Sequence, residues 1–230
     1  MTFDLSPIFE EFPDLTPKQQ EQFQLFAVKL AEWNEKINLI ARTDIENLPK
    51  RHILHSLAIP KVMPFEPGSR ILDVGTGGGF PGIPLAILFP DCQFHMVDAI
   101  GKKIKVVQDL IEQLGLENAT AAHERAEKVK GQFDFIVARA VTQLPKFMNW
   151  IRKKVKRSGI NVLPNGVLYL KGGDLSEEFE NIKEEPEAHP LEFLFSEPDE
   201  MWTDKYVIHV PVEQQDGNNK SKQKESVWGP

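Results

Sequence analysis

Ten consecutive residues, Ile71-Leu72-Asp73-Val74-Gly75-Thr76-Gly77-Gly78-Gly79-Phe80, restrict this chain more than any others. An apolar run of strand length enters, without a spacer, a turn carrying glycine at 75, 77 and 79, and an apolar helical stretch follows. Glycine accepts positive φ at no steric cost, and it leaves no side chain to hold a ligand away from the backbone. A strand, a bare turn and a helix in that order belong to an open α/β sheet, which binds its ligands across the carboxyl ends of the strands.

The rest of the chain from Arg70 onward repeats this alternation. Short apolar runs predict strands at 70–74, 93–98, 119–123, 133–138 and 166–171, with helices between them at 82–89, 101–114, 125–129 and 142–157. Two later apolar runs, Leu191–Phe195 and Tyr206–Val212, are expected to close one edge of the sheet as a hairpin. Before the sheet the pattern is helical. Thr16, Pro17 and Gln19 supply a cap, a proline at the first helical position and a capping-box partner. Phe23, Phe26, Leu30, Trp33, Ile37 and Ile40 then recur every three or four residues, which predicts one apolar stripe from Gln19 to about Ile40. A second helical stretch is expected over Pro49–Met63, with Pro64–Gly68 as linker. The expected division is an N-terminal helical cap at 1–66, a cofactor-binding domain at 67–212 and a flexible polar tail at 213–230.

Charge bears on the partner. The net charge of −7 disfavours nucleic acid until its distribution is read. Residues 171–200 hold eleven acids against Lys171 and Lys183, so the rest of the chain is slightly positive. Lys146–Arg157 carries six cations and no acid, and Lys102, Lys103 and Lys105 form a second group, although such clusters are commonly solvated helix faces. No run approaches the ~18 apolar residues of a membrane helix, and Met1–Glu10 has no basic start or apolar core, so a cytoplasmic protein is expected. The single cysteine, Cys92, excludes an internal disulfide framework and any multi-cysteine metal site; no metal is expected.

Two cofactor classes compete for the glycine turn. Gly77, Gly79 and Gly82 satisfy the dinucleotide spacing, but Gly75 holds the position just after the strand, and Pro81 and Pro84 fall where that register wants backbone N–H donors. An Asp-x-Gly-x-Gly-x-Gly loop is the usual form in methyltransferases. Asp98, closing the second predicted strand nineteen residues after Gly79, is placed to bind both hydroxyls of a ribose; the competing role is to cap the helix after it. Asp73 suits a loop-orienting or amino-group contact. Arg125-Ala126-Glu127 follows the third strand, where an adenine ring would lie, or else carries ordinary helix-start charges.

These residues bring a family into view. Trp33-Asn34 with Asn38-Leu39, Arg51-His52-Ile53-Leu54, Asp73 to Pro84, Val97-Asp98 with Lys102-Lys103, Arg125-Ala126-Glu127, Arg139-Ala140 and Leu170-Lys171-Gly172 resemble the bacterial ribosomal RNA small-subunit methyltransferase G family, also called glucose-inhibited division protein B. The resemblance covers most of 15–175. It implies a Rossmann-like class I methyltransferase sheet, mostly parallel with helices on both faces, with S-adenosyl-L-methionine as methyl donor. The implied substrate is N7 of a guanine in small-subunit ribosomal RNA, as naked RNA or within the small subunit; a monomer is expected. Carried over by position, cofactor contacts fall on Gly75, Phe80, Ala126, Glu127 and Arg139, to which the residue reading adds Asp73, Gly77 and Asp98. The family pattern His-x-x-Asp-Ser reads His52-Ile53-Leu54-His55-Ser56 here, so His55 stands where a carboxylate is usual.

The inventory narrows the target atom independently. Methylation at a pyrimidine C5 generally needs a cysteine nucleophile, and Cys92 precedes the second strand, away from the expected mouth. Exocyclic amine methylation typically uses an Asn/Asp-Pro-Pro-Tyr-type loop after the fourth strand, where this chain has Ala138-Arg139-Ala140-Val141. Guanine N7 carries a lone pair and no proton, so in-line attack on a sulfonium methyl needs no general base, and alignment alone can contribute roughly 7–11 kcal/mol. Arg139 is the residue expected to position the guanine edge or a phosphate. Lys171, His52, Lys102 and Lys103 are candidate RNA contacts, with a 2'-hydroxyl reaction using Lys171 kept as an alternative. A non-catalytic RNA- or cofactor-binding module and a nicotinamide-dependent oxidoreductase are the alternatives the residues also allow.

Overall fold

A computed structural model describes residues 2–212; the predicted tail at 213–230 lies outside them. Seven strands form one sheet: β1 (Arg70–Val74), β2 (Gln93–Asp98), β3 (Ala119–His123), β4 (Phe135–Arg139), β5 (Gly166–Gly172), β6 (Glu187–Pro190) and β7 (Lys205–Pro211). Their order is β3-β2-β1-β4-β5-β7-β6. Strands β1 to β5 run parallel, while β7 pairs antiparallel with both β5 and β6. The chain reverses direction across the sheet between β1 and β4, which opens a crevice at their carboxyl ends.

Alternation along the strands sorts side chains onto two faces. Ile71, Phe94, Met96, Phe135, Val137, Leu168 and Leu170 join one apolar cluster. Leu72, Val74, Val97, Ile136, Ala138, Val167 and Tyr169 join another. Helices α4 (Gly82–Leu88) and α5 (Gly101–Gln113) cover the first face, and α6 (Leu144–Ile151) covers the second. Each large aliphatic or aromatic side chain fully buried this way is worth about 1.5–3 kcal/mol.

The N-terminal cap packs on the first face and shares its cluster. Besides the short α1 (Ser6–Glu11) and α3 (Ala58–Val62), it consists mainly of α2 (Pro17–Lys36), which opens with the predicted capping box: Gln19 N–H donates to Thr16 Oγ1 at 3.3 Å, and Thr16 N–H to Gln19 Oε1 at 2.9 Å. Phe23, Phe26 and Leu30 bury completely against the sheet side. Polar contacts place α2 further. Gln19 Nε2 donates to the carbonyls of Ile87 and Leu88, and Gln22 Nε2 to that of Leu114, satisfying acceptors that helix ends leave open.

Several boundaries depart from the sequence expectation for identifiable reasons. Helix α2 stops at Lys36 rather than Ile40, because buried Asn34 turns its Oδ1 to accept Leu39 N–H and Ile40 N–H. The stretch expected as a helix from Pro49 is π-helical over Leu48–Leu54 before α3 begins. Strand β4 starts at Phe135, since Asp134 uses its carboxylate to hold Arg70 N–H and Lys156 Nζ. The helix predicted at 125–129 is one 3-10 turn, Ala126–Lys128. The one predicted at 142–157 ends at Ile151, followed by a 3-10 turn and a bridge between Val155 and Phe133. The closing hairpin uses Glu187–Pro190, not Leu191–Phe195, as its first strand; Leu191 instead buries fully in the core.

Candidate active site

The turn after β1 divides the carboxyl end of the sheet in two. On one side lies a cleft of about 300 Å³ lined by Val74, Gly75, Val97, Asp98, Ala99, Ile100, Lys103, Glu124 to Glu127, Ala140, Val141 and Trp150. The glycines earn their places by geometry. Gly75 has φ +72°, and a Cβ there would stand 2.7 Å from Val141 Cγ2; Gly79 has φ +94°, and its Cβ would stand 2.4 Å from Ile83 Cδ1. Both positions therefore combine left-handed backbone with no room for a side chain.

Asp98 ends β2 at the rim of this cleft. Its Oδ2 accepts Gly77 N–H at 3.0 Å and its Oδ1 accepts Ile100 N–H at 2.8 Å. The carboxylate therefore ties the glycine turn to β2 and does not cap α5, whose first turn receives no side-chain cap. Each oxygen keeps a lone pair for a further donor, which is what a vicinal diol requires. Across the cleft, Ala126 is buried in its wall and Glu127 is exposed at its edge. Lys103 lines the cleft, while Lys102 is exposed and outside it.

The loop after β4 is held rigidly. Tyr169 Oη accepts Val141 N–H at 3.0 Å and Thr142 N–H at 2.9 Å and donates to the Thr142 carbonyl at 2.8 Å, while Ala140 adopts φ +53°. Tyr169, Val141, Ile100 and Trp150 were not singled out from the sequence. Ile100 had the one readable signal, an apolar residue two places after the strand-end acid.

On the other side of the turn the space is filled. Phe80 is buried between Phe26, at 5.4 Å between ring centroids, and His52, at 5.6 Å. The Arg139 guanidinium lies over the Phe80 ring at 4.6 Å, its Nη2 3.1 Å from His52 Nδ1 and its Nη1 donating to the His52 carbonyl at 3.4 Å. Burial lowers the Arg139 pKa to about 10, leaving it charged at neutral pH. Burial, then the Arg139 charge, lowers that of His52 to about 4, so its imidazole is neutral. His55 is pushed down to about 3 by burial; its Nε2 has no hydrogen-bond partner among the described residues.

Asp73 is fully buried, and its Oδ2 accepts Gly82 N–H at 2.9 Å, so the side chain orients the turn and lines no part of the cleft. Burial raises its pKa to about 7. This bond answers the dinucleotide register: the Gly82 N–H at the start of α4 is already committed, and a Cβ on Gly82 would meet Asp73 Oδ2 at 2.5 Å. Gly82 serves packing, not a pyrophosphate. Phe80, like Asp73 and Arg139, stands outside the cleft lining.

The basic groups are largely engaged. Lys171 pairs with Glu178 at 2.7 and 2.5 Å and donates to the Thr142 carbonyl, instead of presenting an open cation on the rim. Arg152 pairs with Glu184 and Lys156 with Asp134, while Lys154 is buried against the carbonyls of Glu127 and Val129. The acidic segment thus partly neutralises the Lys146–Arg157 run. Cys92 is buried at the amino end of the sheet, its thiol pushed up to about 11 by burial, and serves no nucleophilic role at the cleft. No group of acids, histidines and cysteine able to hold a metal occurs among the described residues, and no helix there is long and apolar enough to cross a membrane.

Comparison with known proteins fixes the lineage. Residues 19–197 match the GidB family, described as rRNA small subunit methyltransferase G. The chain is 54% identical over 210 residues to the ribosomal RNA small subunit methyltransferase G of Flavobacterium johnsoniae, covering 90% of this chain and 98% of that one. The protein of the same description from Cytophaga hutchinsonii is 50% identical, over 87% and 96% of the two chains. A SAM-dependent methyltransferase from Aquifex aeolicus shares the fold with TM-score 0.53 at 15% identity, over 75% of this chain and 99% of that one. With its open cleft, glycine turn and strand order, the chain belongs to the rRNA small subunit methyltransferase G family.

Proposed function

We propose that this protein transfers a methyl group from S-adenosyl-L-methionine to N7 of a guanine in 16S ribosomal RNA, within the small subunit or as RNA. The single observation that carries the cofactor assignment is Asp98, a carboxylate fastened by Gly77 and Ile100 N–H at the mouth of a cleft floored by bare Gly75. Family membership carries the substrate.

The residues fit a nucleoside cofactor. Asp98 accepts the ribose hydroxyls, Gly75 and Gly77 let the backbone approach, and Ile100 and Ala126 offer apolar surface to the adenine, with Glu127 at its polar edge. Asp73 and Phe80 act from behind the turn, Asp73 holding it through Gly82 N–H and Phe80 packing beneath it. When bound, the cofactor supplies an electrophilic methyl on a sulfonium. The protein then needs no base for guanine N7; it must hold the ring in line and shield the developing charge from water. Arg139 is the positioning group for the guanine edge or a neighbouring phosphate, with His52 beside it. Lys102 and Lys103 supply backbone-phosphate attraction, and Lys171 would do so only after leaving Glu178. We further assign the protein to the cytoplasm as a monomer, its cap at 1–66 and its catalytic domain at 67–212.

The test is to incubate the protein with labelled S-adenosyl-L-methionine and either small subunits or stripped 16S RNA, then map the modified base chemically. A single N7-methylguanine is expected, much reduced in Arg139→Ala. Label on an exocyclic nitrogen or a 2'-hydroxyl, or none on either substrate, overturns the proposal.

A further inference from the structure

Arg139 carries a charge beside the glycine turn, yet no carboxylate among the described residues pairs with it directly; what meets its guanidinium is a neutral imidazole. His52 offers Nδ1 to Arg139 Nη2 at 3.1 Å, and its other nitrogen, Nε2, lies 2.7 Å from Asp44 Oδ2. A guanidinium only donates and a carboxylate only accepts. The arrangement is therefore self-consistent in one tautomer alone, with the proton on Nε2 and the lone pair on Nδ1. In the opposite tautomer two N–H groups would confront one another at the Arg139 contact while a carboxylate faced a lone pair.

From this geometry we infer that Asp44 is a positioning residue for the methyl transfer: through His52 it fixes the imidazole tautomer that holds the Arg139 guanidinium over Phe80. The inference rests on the reading of Arg139 given above and extends it to a residue in a different element. Asp44 sits in the 3-10 turn Arg42–Asn47, while His52 sits in the π-helical segment that follows. Wide π turns are rare and concentrate at functional sites. Here the His52 carbonyl accepts from Ser56 Oγ at 2.7 Å as well as from Arg139 Nη1. Asp44 is itself anchored: its Oδ1 accepts from Arg51 Nη1 at 3.1 Å and from Asn47 Nδ2 at 3.3 Å. Burial raises its carboxyl pKa, but the hydrogen bond from His52 and the charge of Arg51 more than offset that and leave it lowered, hence ionised. His55, one turn on, contacts Trp202 and does not substitute for it.

The experiment uses the full chain and its Asp44→Asn, Asp44→Ala and Arg139→Ala variants. Nitrogen-15 NMR of imidazole-labelled protein reads the His52 tautomer; steady-state methylation reads kcat and KM for RNA; calorimetry reads cofactor affinity. Expected are a protonated Nε2 in the native chain, a mixed tautomer in Asp44→Ala, and a methylation loss between about 10- and 100-fold in that variant, by analogy with the loss on removing a carboxylate that orients a metal-ligating histidine. Cofactor affinity should hold within about twofold, and Asp44→Asn, which keeps an acceptor, should recover part of the rate. The double variant Asp44→Ala/Arg139→Ala should be no slower than Arg139→Ala alone. A native Nδ1–H tautomer, an unimpaired Asp44→Ala, or a rate loss matched by equal loss of cofactor binding and melting temperature would each overturn the inference. If Arg139→Ala methylates normally, the reading of Arg139 fails and the kinetic role of Asp44 goes with it, whereas a tautomer fault in the presence of a crippled Arg139→Ala condemns the Asp44 link alone.

Discussion

The two sides of the glycine turn are built on opposite plans. On the Asp98 side the backbone is bare, polar groups keep spare lone pairs and a cleft stays open; on the Phe80 side an arginine, two histidines and three aromatic rings fill the space. The contrast teaches that one short segment performs two tasks, binding on one surface and packing on the other. Substitutions on the open side should therefore hurt cofactor affinity, and those on the packed side should hurt stability, with Arg139 and its partner His52 set apart as the packed groups whose loss is read in methyl transfer.

The largest separation is expected from Phe80→Ala. Emptying that buried site should destabilise the fold by about 3–5 kcal/mol in a denaturant titration. Cofactor affinity measured well below the transition should change little, and a large affinity loss would mean that the two sides are coupled.

Next comes acid. His52 and His55 have folded pKa values near 4 and 3, below the ordinary 6.5, so each contributes stability that is present above pH 6.5 and lost as pH falls through its folded value. Asp73, raised to about 7, works oppositely: its contribution is full below pH 3.8 and lost as pH rises toward 7. Between pH 4 and 6.5 two histidines oppose one aspartate, so stability should rise with pH by about 1.4 kcal/mol per unit from these groups, or about 3 kcal/mol across the window. His55→Gln should flatten that slope; an unchanged slope would show that the imidazole is protonated in the fold.

On the open side, Asp98→Ala should weaken cofactor binding by about 2–3 kcal/mol, read by calorimetry, since it removes charge-assisted bonds to a diol. A shift below tenfold would move the ribose elsewhere. The smallest effect is expected from Lys171→Ala: because Glu178 already engages that ammonium, RNA affinity and its salt dependence should change by less than about 1 kcal/mol.

What the sequence disclosed and what it hid follow the same division. The parallel strands, the glycine turn and Asp98 were legible because they rest on local periodicity and on residue types with narrow conformational uses. Arg139 and His52 could be named from their resemblance to a family, but not their meeting across 87 positions of chain. Asp44 carried no signal at all, since its role exists only once a 3-10 turn and a π-helical segment bring it to His52. Helix lengths were overestimated at Ile40, where the Asn34 side chain takes up backbone N–H groups, and at Arg157, where the backbone of 154–156 pairs instead with Phe133. The edge strand Glu187–Pro190 is polar, and edge positions place few apolar demands on sequence.

The apolar cluster shared by α2, α4, α5 and one surface of the sheet has a practical corollary for anyone trimming the gene. A fragment starting at the linker would leave Ile71, Phe94 and Phe135 without their cover from Phe23, Phe26 and Leu30. Such a product should be recovered from inclusion bodies, and co-expressing the missing piece as a separate polypeptide is the remedy the shared interior suggests.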